Sequence, residues 1–144
     1  MRALLDINFL IALIDPDHIF HQRAHGWWAA NADQGWASCP LVENGVVRVM
    51  SSHAYSRRIQ LNPAELIQLL QELSRSSKHE FWPDELSLRD KARFVSERIH
   101  GGQQLTDIYL LGLAALHRAR LVTFDQAIPV SAVPSASPKN LVVV

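Results

Sequence analysis

The chain has 144 residues, 48% of them apolar, which is enough for one well-buried domain over 1–144 and too few for two of ordinary size. Its 14 basic residues balance 14 acidic ones, so the strong basic field of many nucleic-acid binders is missing, and a nucleic-acid partner would have to meet local patches. The single cysteine, Cys39, excludes an internal disulfide. No apolar run approaches the roughly 20 residues of a bilayer span, and the N-terminal stretch has neither a basic leader nor a small-residue cleavage site. The expectation is a cytoplasmic protein with no membrane partner.

Short apolar runs alternate with longer helical patterns. Ala3 to Leu5 predicts a first strand ending at Asp6, and Asn8 to Ile14 a short apolar helix stopped by Asp15-Pro16. A second helix is expected from about His18 to Asn31, a second strand over Trp36 to Cys39, and a helix over Leu41 to Met50 that tolerates Gly45. Asn62-Pro63-Ala64-Glu65 is a helix start with Asn62 as N-cap, Pro63 at the first helical position and Glu65 at N3. That helix should run to about Leu73. Glu80 to Trp82 predicts a third strand, and Ser87 to Ile99 a charged amphipathic helix ended by Gly101-Gly102. Thr106 opens an apolar helix to about His117; Leu121 to Phe124 and Leu141 to Val144 complete the strands, with a Ser/Pro-rich loop between them.

Strands separated by helices predict an α/β fold: a central parallel sheet of about five strands with helices on both faces, because parallel connections need crossovers. Ligands in such sheets gather at the carboxyl ends of strands where chain order reverses. If strand four returns beside strand one, Asp6 and Asp125 face each other there. Glu43 and Asp107 share the apolar faces of their helices, with Val46, Val47 and Met50 following the first and Leu110, Leu111 and Ala114 the second. A carboxylate in such surroundings loses hydration and stays ionised only beside a cation or strong donors. The structural alternatives are local: Asp6 and Asp107 as helix caps, Asp125 in an Asx turn, Glu43 paired with Arg48. Four together point to a shared cation. His18, His21 and His25 at helical spacing suggest helix packing or capping rather than zinc, and Cys39 a buried apolar residue rather than a nucleophile.

The series LLDIN, PLVENG, LTDIYLLGLA and LVTFDQA, in that order and spacing, resembles the PIN-domain ribonucleases, nearest to VapC-type toxins of bacterial type II toxin–antitoxin pairs. The resemblance covers essentially the whole chain and implies a PIN-like three-layer fold. By position, Asp6 matches the family's first acid, with Asn8 two places on. Glu43 matches the helical acid, Thr106-Asp107 the Ser/Thr-Asp pair, and Thr123-x-Asp125 the Thr-x-Asp at the end of strand four. Many relatives carry a further acid beyond that motif. Here Gln126, Ala127 and Ile128 follow, and no Asp or Glu occurs after Asp125, so one firmly held metal is expected.

Carboxylate oxygens are hard ligands suited to Mg²⁺, with Mn²⁺ as a substitute. Without a cation the crowded acids should take up protons; with one, a phosphate oxygen is polarised and a bound water activated. Asp6, Asp107 and Asp125 are the expected metal ligands, Glu43 the residue that positions or deprotonates the attacking water, and Asn8, Thr106 and Thr123 the orienting groups around them. The resemblance implies an endoribonuclease (a hydrolase) leaving a 5′-phosphate and a 3′-hydroxyl, a homodimer, and a VapB-type antitoxin whose C-terminal segment covers the site. Tyr55, Arg57 and Arg58, in HAYSRRIQ, combine cations with a ring as a single-stranded RNA groove would. Two alternatives stand beside this. A PIN-like RNA-binding module without turnover could retain the same ligands. A phosphoacceptor signalling domain needs an acidic pair after strand one, where this chain has Asp6 alone.

Overall fold

A computed structural model of the chain describes residues 1–56, 58 and 60–144. Five strands, β1 (Ala3–Leu5), β2 (Trp36–Ser38), β3 (His79–Phe81), β4 (Arg120–Thr123) and β5 (Leu141–Val143), form one sheet in the order β3-β2-β1-β4-β5. Every pairing is parallel. The alternation of strands and helices predicted the parallel sheet; chain order reverses between β1 and β4, which meets the condition for Asp6 and Asp125 to face each other. Every residue of β1 and β2 is buried, as are the last three of β4; since successive side chains point to opposite faces, these strands are covered on both. The edge strands β3 and β5 are partly exposed.

The covering helices are α1 (Ile7–Ile14), α2 (His21–Asn31), α3 (Pro40–Met50), α4 (Pro63–Arg75) and α5 (Leu105–Leu116). No helix of the described residues is long and apolar enough to cross a membrane. Helix α1 buries Phe9 to Leu13 without a break, as its continuous apolar run requires. It approaches α3 closely because Gly45 has no side chain: a Cβ there would lie 2.4 Å from Ile7 Cδ1. Helix α4 starts as expected, with Asn62 Oδ1 accepting the Glu65 amide at 2.9 Å.

Helix α2 begins at His21 rather than His18, because the His18 ring accepts the Phe20 amide and closes a turn ahead of it. His21 Nδ1 and His25 Nε2 meet the carbonyl oxygens of Ala12 and Leu13, so the histidines cap the end of α1. This is the packing role expected of them.

The expected helix over Ser87 to Ile99 does not form. The Ser87 hydroxyl accepts the Arg89 amide and the Asp90 carboxylate the Ala92 amide, so two short polar side chains give the backbone a turn where a helix would have started. Only a 3₁₀ turn, Ser96–Arg98, follows. Phe94 anchors the segment, 2% exposed and pressed on α5 at Gly112, where a Cβ would come within 2.7 Å of its ring. The Ser/Pro-rich stretch before β5 is also ordered: buried Asn140 donates to the Ala119 carbonyl at 2.7 Å.

Candidate metal centre

The carboxyl ends of β1 and β4 lie side by side. Leu5 pairs with Val122, and the Asp6 amide donates to the Val122 carbonyl, so Asp6 stands level with the end of β4. Asp6 occupies the N-cap position of α1, where the Ile7 and Asn8 amides approach its carboxylate and lower its pKa without forming a well-aligned capping hydrogen bond. It is 4% exposed, and its Oδ2 accepts the Thr123 hydroxyl at 2.7 Å. Thr123 Oγ1 in turn accepts the Asp125 amide at 3.0 Å. A single buried hydroxyl thus ties the first acid to the loop that carries the last. Asp125 is exposed, and its Oδ1 accepts the Ala127 amide in the Asx turn that its sequence suggested.

Asp107 reaches the same place from the first turn of α5. Its helix begins at Leu105 and is preceded by Gln104, so Asp107 is not the cap. Burial above all pushes its carboxyl up to about 7, helped by the charge of Asp6, a hydrogen bond with the Asp125 side chain and the charge of Asp125. Burial likewise raises Asp6; the Thr123 hydroxyl works against that rise, and the Asp125 charge adds to it. Three acids from three elements therefore meet, and Asp107, crowded by the other two, keeps its proton to a higher pH than an ordinary aspartate.

Glu43 stands apart. Its Oε1 accepts the Ser38 hydroxyl at 2.6 Å, and Ser38 Oγ also lies 2.8 Å from His79 Nε2. Arg48, a candidate partner for Glu43, is exposed on the same helix and forms no ion pair among the described residues. The signal for Ser38 was a polar residue ending a buried apolar strand five places before an acid; nothing local pointed to His79. Among the orienting candidates, Thr123 is buried at the centre, Asn8 is exposed on the first turn of α1, and half-buried Thr106 lines a surface cleft with Leu41 and Asp84.

Tyr55 is half-buried, and its hydroxyl donates to Asp15 Oδ2. Arg58 is exposed, and Arg57 lies outside the described residues. Cys39 is fully buried, with its thiol pushed up to about 12 by that burial, as a structural cysteine should be.

The donor set is oxygen-only and suits a hard divalent cation. Among the described residues, however, no three His, Cys, Asp or Glu side chains are arranged to hold an ion.

Comparison with known proteins defines the class. Residues 3–132 match the PIN domain, and the chain belongs to that family. It is 45% identical to "Ribonuclease VapC44" of Mycobacterium tuberculosis over 98% of either chain, and 37% identical to "Ribonuclease VapC39" of the same organism over 92% of this chain and 94% of that one. Within the PIN domains it is of the VapC type. A chain in the crystal structure of VapBC2 from Rickettsia felis, bound to a DNA fragment from their promoter, superposes with a TM-score of 0.61 at 14% identity. That match covers 100% of this chain and 99% of that one, and it shows the shared fold.

Proposed function

We propose that the chain is a divalent-metal-dependent endoribonuclease, the toxin of a type II toxin–antitoxin pair. The observation that carries this reading is the convergence of Asp6, Asp107 and Asp125 beside the adjacent ends of β1 and β4, with Asp6 and the Asp125 backbone tied through the one Thr123 hydroxyl and Asp107 close enough to feel the charge of both other acids. Similarity over nearly the whole length to proteins named ribonucleases supports it.

Mg²⁺ or Mn²⁺, when bound, would polarise the scissile phosphate and lower the pKa of a bound water. Asp6 and Asp125 would supply carboxylate oxygens, and Asp107 would join them on losing its proton. The Thr123 hydroxyl holds Asp6 Oδ2 and fixes the orientation of that carboxylate. Asn8 and Thr106 flank the acids on α1 and α5. Glu43 would position the attacking water or accept its proton. Exposed Arg58, with Arg57 and Tyr55 beside it in sequence, would contribute cations and a ring to the path of a single strand. The products would carry a 5′-phosphate and a 3′-hydroxyl. The partners would be a VapB-type antitoxin and a second copy of the chain.

The test incubates purified protein with total bacterial RNA in Mg²⁺, Mn²⁺ or EDTA, beside an Asp6→Asn variant. Discrete cuts with either metal, absent from the EDTA and variant lanes, are the expected result. Equal cleavage in all lanes would indicate a contaminating nuclease and defeat the assignment. RNA retained by the protein but never cut would identify a binding module without turnover.

A further inference from the structure

Glu43 is the acid set apart from the others, and it is held by groups outside the acidic cluster. Ser38 ends β2 and is 1% exposed; its Oγ lies 2.6 Å from Glu43 Oε1 and 2.8 Å from His79 Nε2. His79 opens β3 in register with Trp36, and its ring packs on that indole at 4.3 Å between centroids. The Trp36 Nε1–H is in turn bound to Ser77 Oγ at 2.8 Å, so both rings are fixed against the sheet edge.

With Glu43 as the acceptor of the Ser38 hydroxyl, the proton count along this chain has one solution. An ionised carboxylate only accepts, and a serine hydroxyl has one proton to give. Ser38 therefore donates to Glu43, and its lone pair meets an N–H at His79 Nε2. The opposite sense, Ser38 donating to His79, would set Oγ against Oε1 at 2.6 Å with no proton between them. Burial lowers the His79 pKa below its ordinary value, so the ring is neutral near pH 7 and its one proton sits on Nε2.

We propose that Ser38 and His79 are positioning residues for Glu43: the His79 Nε2–H aims the Ser38 hydroxyl, which locks one carboxylate oxygen and leaves the other to engage water. This rests on the assignment of Glu43 to the attacking water. A glutamate side chain has three rotatable bonds, and its effectiveness at a reacting atom depends on holding one geometry. A serine at the end of a buried strand supplies that restraint without adding charge.

Two measurements test it. The first needs no RNA or metal: long-range ¹H–¹⁵N correlation of the histidine rings in the purified protein should show His79 neutral and protonated at Nε2. A ring protonated at Nδ1 would overturn the proposal. The second measures cleavage of an end-labelled oligoribonucleotide copied from a mapped cut site, with melting temperatures recorded for each variant. Ser38→Ala and His79→Phe should each lower kcat about tenfold or more with KM within about twofold, while Ser38→Thr and His79→Gln, which keep the hydroxyl and the N–H, recover most of the rate. If Ser38→Ala does not fold, the His79→Phe and His79→Gln pair decides alone. Wild-type kcat in His79→Phe would sink the proposal. A wild-type protein that cuts no RNA would instead count against the ribonuclease reading, and the tautomer would still test the hydrogen-bond chain.

Discussion

Thr123 concentrates the most structure in the fewest atoms. Its hydroxyl gives a proton to Asp6 Oδ2 and accepts the Asp125 amide, so one side chain couples the end of β1 to the loop after β4. Thr123→Val keeps the shape and removes both bonds. The Asp6 carboxyl keeps only the weaker approach of the Ile7 and Asn8 amides, so the loss of the hydroxyl should cost about 1–2 kcal/mol, which urea denaturation at neutral pH in EDTA should register as a lower midpoint with an unchanged slope. Asp6, Thr123 and Asp125 were legible in the sequence because each lies at the end of an apolar strand, where side-chain direction and sheet position are both constrained. Glu43 was legible as an acid on an apolar helix face, but its partner was not. His79 comes from a strand 36 residues further on, and only the β2–β3 register brings it to Ser38.

At the scale of elements, the strands and five helices could be read because their apolar periods were long or sharply punctuated. The segment from Ser87 to Ile99 could not. Its charges alternate as on a surface helix, but Ser87 and Asp90 satisfy nearby amides themselves, and Phe94 gains more by entering a slot on α5 than by continuing a helical stripe. That slot exists only because residue 112 is glycine. Gly112→Ala should raise helix propensity by about 1 kcal/mol yet destabilise the fold by about 1–2 kcal/mol net, because the added methyl meets the Phe94 ring. Phe94→Ala alone should cost about 3–5 kcal/mol. In the Phe94→Ala background, Gly112→Ala should become neutral or stabilising. A double-mutant cycle by denaturant unfolding measures the coupling, and additivity within about 0.5 kcal/mol would mean that the two residues do not share the slot.

For the molecule as a whole, the acidic cluster links stability to pH and cation. Asp107 is raised to about 7 and Asp6 is raised as well, each mainly by burial, whereas in the unfolded chain both titrate near pH ~4. Between those limits the folded state holds more protons than the unfolded state, so stability decreases as pH rises. The contribution is fully present below about pH 4 and is lost as pH climbs through about 7. In EDTA the melting temperature should therefore fall between about pH 5.5 and 8. A divalent cation competes with the proton on Asp107, so Mn²⁺ should raise the melting temperature far more at pH 8 than at pH 6, and its binding near neutral pH should release protons measurable by calorimetry in buffers of different ionisation enthalpy. Asp107→Asn replaces the protonated carboxyl with an amide. Without cation it should flatten the decline with pH and melt above the wild type at pH 8, while losing most of the Mn²⁺ effect. A wild-type melting temperature that rises with pH in EDTA would show that Asp107 does not keep its proton in the folded state, and the convergence on which the metal centre rests would have to be abandoned.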